Sequence, residues 1–192
     1  MTAYELALLV VFVASLGIRS VYQRRRRGAT AVSTRHSRRE QLSYLLVASS
    51  YLLLPIVVFT NWLDAGAFDL PGWLRWLGAL IAAAGLALFW WTHVALGRNW
   101  SGVLELYEQH ELVMEGPYRF VRHPMYTSVY LKGIGILLLS ANWIAGGGYL
   151  AAVTWMYALR VRDEEQMMVE RFGEEYRNYM NRTSRLVPLP RR

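Results

Sequence analysis

Five largely apolar stretches divide this 192-residue chain, each set off from the next by charged or short polar segments. A helix needs about 20 apolar residues to cross roughly 30 Å of hydrocarbon, so stretches of this kind leave few soluble folds open. The first runs from Ala3 to Tyr22, with Glu5 and Arg19 near its ends. The second, Leu42 to Phe59, is uncharged and interrupted only by Pro55. The third, Trp73 to Leu96, holds Arg75 near its start and His93 near its end. Tyr126 to Leu139 is shorter and encloses Lys132, and Trp143 to Leu159 carries no charge. Only Ser140, Ala141 and Asn142 separate the last two, which predicts a tight helical hairpin. Tyr4, Tyr22, Trp62, Trp73, Trp90 and Trp143 fall near span ends, where interfacial anchors belong. The pattern predicts an all-α integral membrane bundle of five transmembrane helices. It forms one domain over 1–192, with a cytoplasmic loop over 97–125 and a cytoplasmic tail over 160–192.

The charge pattern orients such a bundle. The chain carries a net +7, and its only lysine is Lys132. Arg24, Arg25, Arg26, Arg27, Arg35, Arg38 and Arg39 lie between the first two spans, whereas the next connection holds Asp64 and Asp69 and no basic residue before Arg75. Arg98, Arg119 and Arg122 follow the third span, and eight arginines follow the fifth. The positive-inside rule places the N-terminus outside and the C-terminus in the cytoplasm, as an odd number of spans requires. A cleaved signal peptide fits the first span poorly, because Glu5 and no basic residue precede it. The run Arg24–Arg27 reads as a topology determinant facing anionic lipid headgroups, since no nucleic-acid motif accompanies it. The absence of cysteine excludes disulfides and thiolate metal centres.

The cytoplasmic segments are longer and more aromatic than connectors need to be. Leu104, Leu106, Leu112 and Val113 are interspersed with Glu105, Glu108, His110 and Glu111, a pattern for extended chain or a small hairpin. Beyond Arg160, apolar residues recur at three- and four-residue steps through Met167, Met168, Phe172, Tyr176 and Tyr179, which predicts an amphipathic helix that continues the fifth span or packs under the bundle. Two prolines exclude a helix at the end, Pro188 and Pro190, which is expected to lie extended against the bundle. Arg160 and Glu164 share one helix face, as a simple salt bridge or as functional groups. His123 precedes Pro124 at a helix start, as a cap or as part of an anion site at the free helix amides. Lys132 either snorkels to the cytoplasmic interface or lines a polar cavity, and His93 reads as an interhelical contact or a functional group.

Taken together, Gly116-Pro117-Tyr118-Arg119-Phe120-Val121-Arg122-His123-Pro124-Met125-Tyr126, the distal Arg160 with Glu164-Glu165, and Phe172-Gly173-Glu174-Glu175-Tyr176 resemble the isoprenylcysteine carboxyl methyltransferase family, especially its short prokaryotic members. Asn99-Trp100-Ser101 and His110-Glu111-Leu112-Val113 fit as well, so the resemblance covers roughly Gly97 to Pro190. It implies an integral membrane enzyme that uses S-adenosylmethionine to methylate the carboxylate of a lipidated substrate. Carried over by position, it assigns the cofactor to Glu105, His110, Glu111, Leu112, Val113, Tyr118, His123, Pro124, Met125, Tyr126 and Glu164. Arg160 is assigned to the substrate carboxylate, and no metal is implied.

The chemistry suits these residue types. Carboxylates match the cofactor's ammonium, a helix N-terminus its carboxylate, and apolar side chains its adenine. A substrate carboxylate is already ionised at neutral pH, so it needs orientation and desolvation, which a guanidinium supplies, and no general base. The cofactor would enter from the cytosol, and the lipid-like acid sideways from the bilayer. Three alternatives remain: a methyltransferase acting on phospholipid headgroups or other amines, an NADPH-dependent isoprenoid or sterol reductase, and a non-catalytic membrane protein.

Overall fold

The computed structural model describes residues 1–25, 31–34, 38–97, 105–107 and 111–189. Helix α1 covers Ala3–Arg25, α2 Arg38–Phe59, α3 Gly72–Leu96, α4 Pro124–Ser140, α5 Gly148–Phe172 and α6 Glu174–Arg182. Two short strands, β1 (Ala31–Thr34) and β2 (Glu105–Tyr107), pair antiparallel, Thr34 opposite Glu105 and Ala31 opposite Tyr107, with an irregularity between Ala31 and Ser33. The alternating segment after α3 is therefore extended, but its partner is the connection after α1 and not a local hairpin arm. This small ribbon joins two segments expected on one side of the bundle and is an addition to the helical class. Within α1, Ala3–Arg24 is long and apolar enough to cross a membrane, and so is α3.

Local chemistry sets the helix ends. Thr2 and Glu5 form a reciprocal capping box at α1: Thr2 N donates to Glu5 Oε2 at 2.6 Å, and Glu5 N donates to Thr2 Oγ1 at 3.3 Å. Pro124 occupies the first turn of α4, where its missing N–H costs nothing. The α4–α5 connection is as tight as expected. Ala141 turns the chain in the left-handed region, φ 49°, and Asn142 accepts from Ala145 N at 3.0 Å. A π-helical turn over Trp143–Gly147 then leads into α5. That helix does not stop at Leu159. With no breaker in the sequence it runs to Phe172, and Gly173, φ 56°, separates it from α6.

One residue from each long helix meets in the core: Leu8, Leu54, Ala82, Ile136 and Val153 are each no more than 1% exposed. The tightest seam lies between α3 and α4. A Cβ on Gly78 would come 2.6 Å from Leu138 Cβ, one on Gly85 2.7 Å from Lys132 N, and one on Gly135 2.6 Å from Gly78 O. Small residues at Gly78, Ala82 and Gly85 thus let the two backbones approach, as helices in lipid need in order to pack. Arg75 is fastened at one end of this seam, its Nε and Nη2 donating to Leu139 O at 3.1 and 3.0 Å. Near the opposite end Tyr22 meets His93, ring centroids 5.1 Å apart.

Candidate functional site

At the N-terminal end of α4 the antiparallel helix α5 emerges from the apolar core and becomes charged. Residues 160–165 of α5 lie there beside 122–126, the lead-in and first turn of α4, and the tail returns to the same place. Arg160 and Glu164 are one turn apart with Nη2 and Oε1 3.4 Å from each other. Tyr126 donates its hydroxyl to the same Glu164 oxygen at 2.8 Å. Glu164 Oε2 faces His123 Nδ1 at 3.6 Å. Arg160 and His123 are each 8% exposed, so the cluster is largely withdrawn from solvent. Tyr157, one turn before Arg160, stacks edge-on against Tyr126 at 5.0 Å and closes the apolar side.

Beside this cluster stands a second carboxylate that anchors it. Glu165 is 5% exposed and accepts from Arg122 Nε at 3.1 Å and from His123 Nε2 at 3.2 Å. It also accepts from Arg185 Nε at 3.1 Å and Nη2 at 2.6 Å. Burial alone would raise its carboxyl, but the bonds from His123 and Arg185 and the nearby cations outweigh it and hold Glu165 well below the usual carboxylate range. The same bonds raise Arg185 further. Arg122 is buried and held again by the carbonyls of Met180, at 3.0 Å, and Thr183.

The tail returns to the bundle at Ser184, Arg185 and Leu186, where the chain bends, and then leaves Val187, Pro188 and Leu189 exposed, not laid extended on the bundle as expected. Arg122 N donates to Ser184 O at 2.8 Å and His123 N to Arg185 O at 3.0 Å. Thr127 Oγ1 donates to Leu186 O at 2.7 Å. The chain's own tail thus takes the two amides just before α4, not those of the helix's first turn. The first-turn amides of Met125 and Tyr126 are the donors that helix geometry leaves for a ligand. His123 does sit at the N-cap, but its side chain makes no capping bond and reaches α5 instead.

The remaining expected positions divide in two. Tyr118, in the turn Gly116–Arg119, accepts at its carbonyl from Tyr179 Oη at 2.7 Å. Burial, then Tyr179 and the Glu164 carboxylate, push its phenol up. Pro124 is buried, and Met125 packs against the core. Leu112 and Val113 are half-buried in the segment leading to Tyr118, and Glu111 is exposed. Glu105 lies in β2, but its side chain falls outside the described residues, as do His110 and Asn99-Trp100-Ser101.

Lys132 is not part of this site. It is fully buried and does not snorkel: Nζ donates to Tyr51 Oη at 2.7 Å and Ser15 Oγ at 3.3 Å, and lies 3.7 Å from the Phe89 ring centre. His93 is also fully buried, Nδ1 2.8 Å from Phe89 O, between the rings of Tyr22 and Phe89. The residues that sequence reasoning underweighted are Glu165 and Arg185. Glu165 was visible only as the second half of a Glu-Glu pair, and consecutive helical residues point about 100° apart. Arg185 lies 20 residues further on, beyond the break at Gly173, and no local pattern announces it.

The chain is similar in sequence and in fold to known proteins. The model of the isoprenylcysteine carboxyl methyltransferase family matches residues 76–170, from the first turns of α3 to the end of α5. Protein-S-isoprenylcysteine O-methyltransferase B of Arabidopsis thaliana is 26% identical over 166 residues, 83% of this chain and 84% of that protein. The human protein-S-isoprenylcysteine O-methyltransferase is 31% identical over 119 residues, 61% of this chain but 42% of its own length. Among solved structures, a eukaryotic intramembrane Ras methyltransferase, also an isoprenylcysteine carboxyl methyltransferase, superposes with a TM-score of 0.56 at 21% identity. That match covers 81% of this chain and 54% of that one. Over the segment that holds most of the charged cluster, and in its helical fold, the chain is similar to the isoprenylcysteine carboxyl methyltransferase family.

Proposed function

We propose that this protein is an S-adenosylmethionine-dependent carboxyl methyltransferase acting on an isoprenylcysteine-like or other amphipathic acid at the cytoplasmic face of a five-span bundle. The observation that carries this reading is a buried arginine, Arg160, set beside Glu164, Tyr126 and His123 where α5 leaves the apolar core. The donor set fits the cofactor. Glu164 has one carboxylate oxygen, Oε2, turned toward His123 for an ammonium, the first turn of α4 supplies amides for a carboxylate, and the half-buried Leu112, Val113 and Tyr118 supply apolar surface for a purine. When bound, S-adenosylmethionine supplies an electrophilic methyl group on a sulfonium.

The chain's part is to bind, orient and exclude water. The guanidinium of Arg160 is built to hold a carboxylate through two parallel bonds. Its contact with Glu164, at 3.4 Å, is longer than a strong charge-assisted bond and can yield to a substrate carboxylate. Tyr157 and Tyr126 shield the site from the side of the core. The acceptor needs no deprotonation, so no residue is required as a base. Lys132 and His93 lie in the core and have no part in this scheme.

The test is titration calorimetry of the full chain in lipid nanodiscs with S-adenosylmethionine, S-adenosylhomocysteine and NADPH, followed by methyl transfer to an S-farnesylcysteine analogue and to phosphatidylethanolamine. Binding of both sulfur cofactors and labelling of the farnesylated acid are expected. Binding of NADPH alone would replace this reading with a reductase. Labelling of the amine alone would replace it with a headgroup methyltransferase.

A further inference from the structure

The two carboxylates of the site hold His123 in different ways, and the difference has a chemical consequence. Glu165 Oε1 lies 3.2 Å from His123 Nε2 and is already an acceptor for Arg122 and Arg185. An ionised carboxylate only accepts, so Nε2 carries the proton of this bond. A neutral imidazole with its proton on Nε2 presents a bare lone pair at Nδ1. That lone pair faces Glu164 Oε2 at 3.6 Å, beyond hydrogen-bond distance. The other Glu164 oxygen is taken by Tyr126 and Arg160. Two acceptors, one of them anionic, thus lie 3.6 Å apart within the proposed cofactor site. A primary ammonium carries three donors on one atom and can satisfy both.

We propose that Glu165 is a positioning residue that locks His123 in the Nε2–H tautomer, so that His123 Nδ1 and Glu164 Oε2 together seat a primary ammonium, the amino group of the cofactor's amino-acid end. This rests on the reading of S-adenosylmethionine as cofactor. The tail takes part in the lock, because Arg185 holds the far side of the Glu165 carboxylate and Arg122 the near side. Glu165 itself touches no ligand. It acts through His123.

The test compares S-adenosylhomocysteine with its analogue lacking the amino group, by calorimetry on the full chain in nanodiscs. The wild type is expected to favour the amino form by about tenfold or more, the worth of a charge-assisted hydrogen bond. Glu165→Met removes the acceptor for Nε2 and should abolish most of that preference while the desamino analogue binds nearly as before. Glu165→Gln keeps an amide oxygen for Nε2 and should largely restore it, which a role through charge alone would not allow. His123→Gln, which retains a donor toward Glu165 but has nothing at the Nδ1 position, should lose the preference too. Nitrogen-15 spectra of ligand-bound wild type should show a protonated Nε2 and an unprotonated Nδ1, a readout independent of whether any variant folds. A protonated Nδ1 in that complex, or a preference that survives in Glu165→Met or His123→Gln, overturns the proposal. A wild type that binds both ligands equally overturns it and leaves the cofactor reading standing. A wild type that binds neither overturns the cofactor reading itself.

Discussion

At the scale of single residues, Arg160 and Glu165 are both buried charges, but they answer to different measurements. Replacing Arg160 by Ala removes the group placed to orient the substrate carboxylate. Turnover should fall by about 100-fold or more, the usual effect of losing one preorganised donor to developing charge, while S-adenosylhomocysteine affinity changes only a few-fold. A parallel loss of both would show that the Arg160–Glu164 contact is purely structural. Glu165 governs stability in acid. Its folded carboxyl titrates below the ordinary value of 4.5 because His123 and Arg185 hold the ionised form. The stability it contributes is therefore complete above about pH 4.5 and is lost as pH falls from there toward the depressed folded value. Melting followed from pH 6 to pH 3 should show this decline, and Glu165→Gln should flatten it. The sequence made Glu164 legible by its spacing from Arg160, whereas Glu165 could be ranked only once the tail had brought Arg185 to it.

At the scale of elements, two devices hold the helices together. Lys132 of α4 bonds Tyr51 of α2 and Ser15 of α1 and lies over Phe89 of α3, and Tyr51 continues to Tyr149 at the start of α5 at 3.3 Å. All five long helices thus meet at one polar knot, which ties α1 and α2 to the helices of the family match. Tyr51→Phe leaves the buried ammonium without its shortest bond and should cost about 2 kcal/mol or more. Lys132→Met removes the charge along with its need for partners and should cost less. Thermal melting in one detergent ranks the two, and the reverse order would show that the ammonium is a net stabiliser. The second device is the α3–α4 seam. Gly135→Val drives a branched side chain into the backbone of α3 at Gly78 and Ala82 and should cost about 3 kcal/mol or more, enough to cut folded yield sharply. Gly78, Ala82 and Gly85 recur at three- and four-residue steps in the sequence, a spacing that gains meaning only with the structure. Which helix they face is not legible there, because small residues record only that something comes close.

At the scale of the whole molecule, the proposed topology can be mapped without background, since the chain has no cysteine of its own. Single cysteines at Thr2 or Ala65 should react with an impermeant thiol reagent from outside the cell, and one at Glu170 only after the membrane is opened. Labelling of Glu170 and Ala65 from the same side would refute five alternating spans. The helical class and the approximate course of the first four long helices could be read in advance, because apolar length is a local property of the chain and breakers such as Pro124 and Gly173 act on their own neighbours. The fifth helix continues past the apolar span, one of the two courses expected for the amphipathic stretch, since charged residues leave a bilayer without ending a helix. The sequence by itself thus determined a basic helical membrane protein and marked the residues of its candidate site. Only the tertiary structure decided that the tail occupies the amides before α4, that Glu165 organises the site, and that Lys132 ties the bundle inward. Each of those outcomes depends on which distant groups satisfy a buried charge or amide, and pairing across 20 to more than 100 residues leaves no periodic trace in the chain.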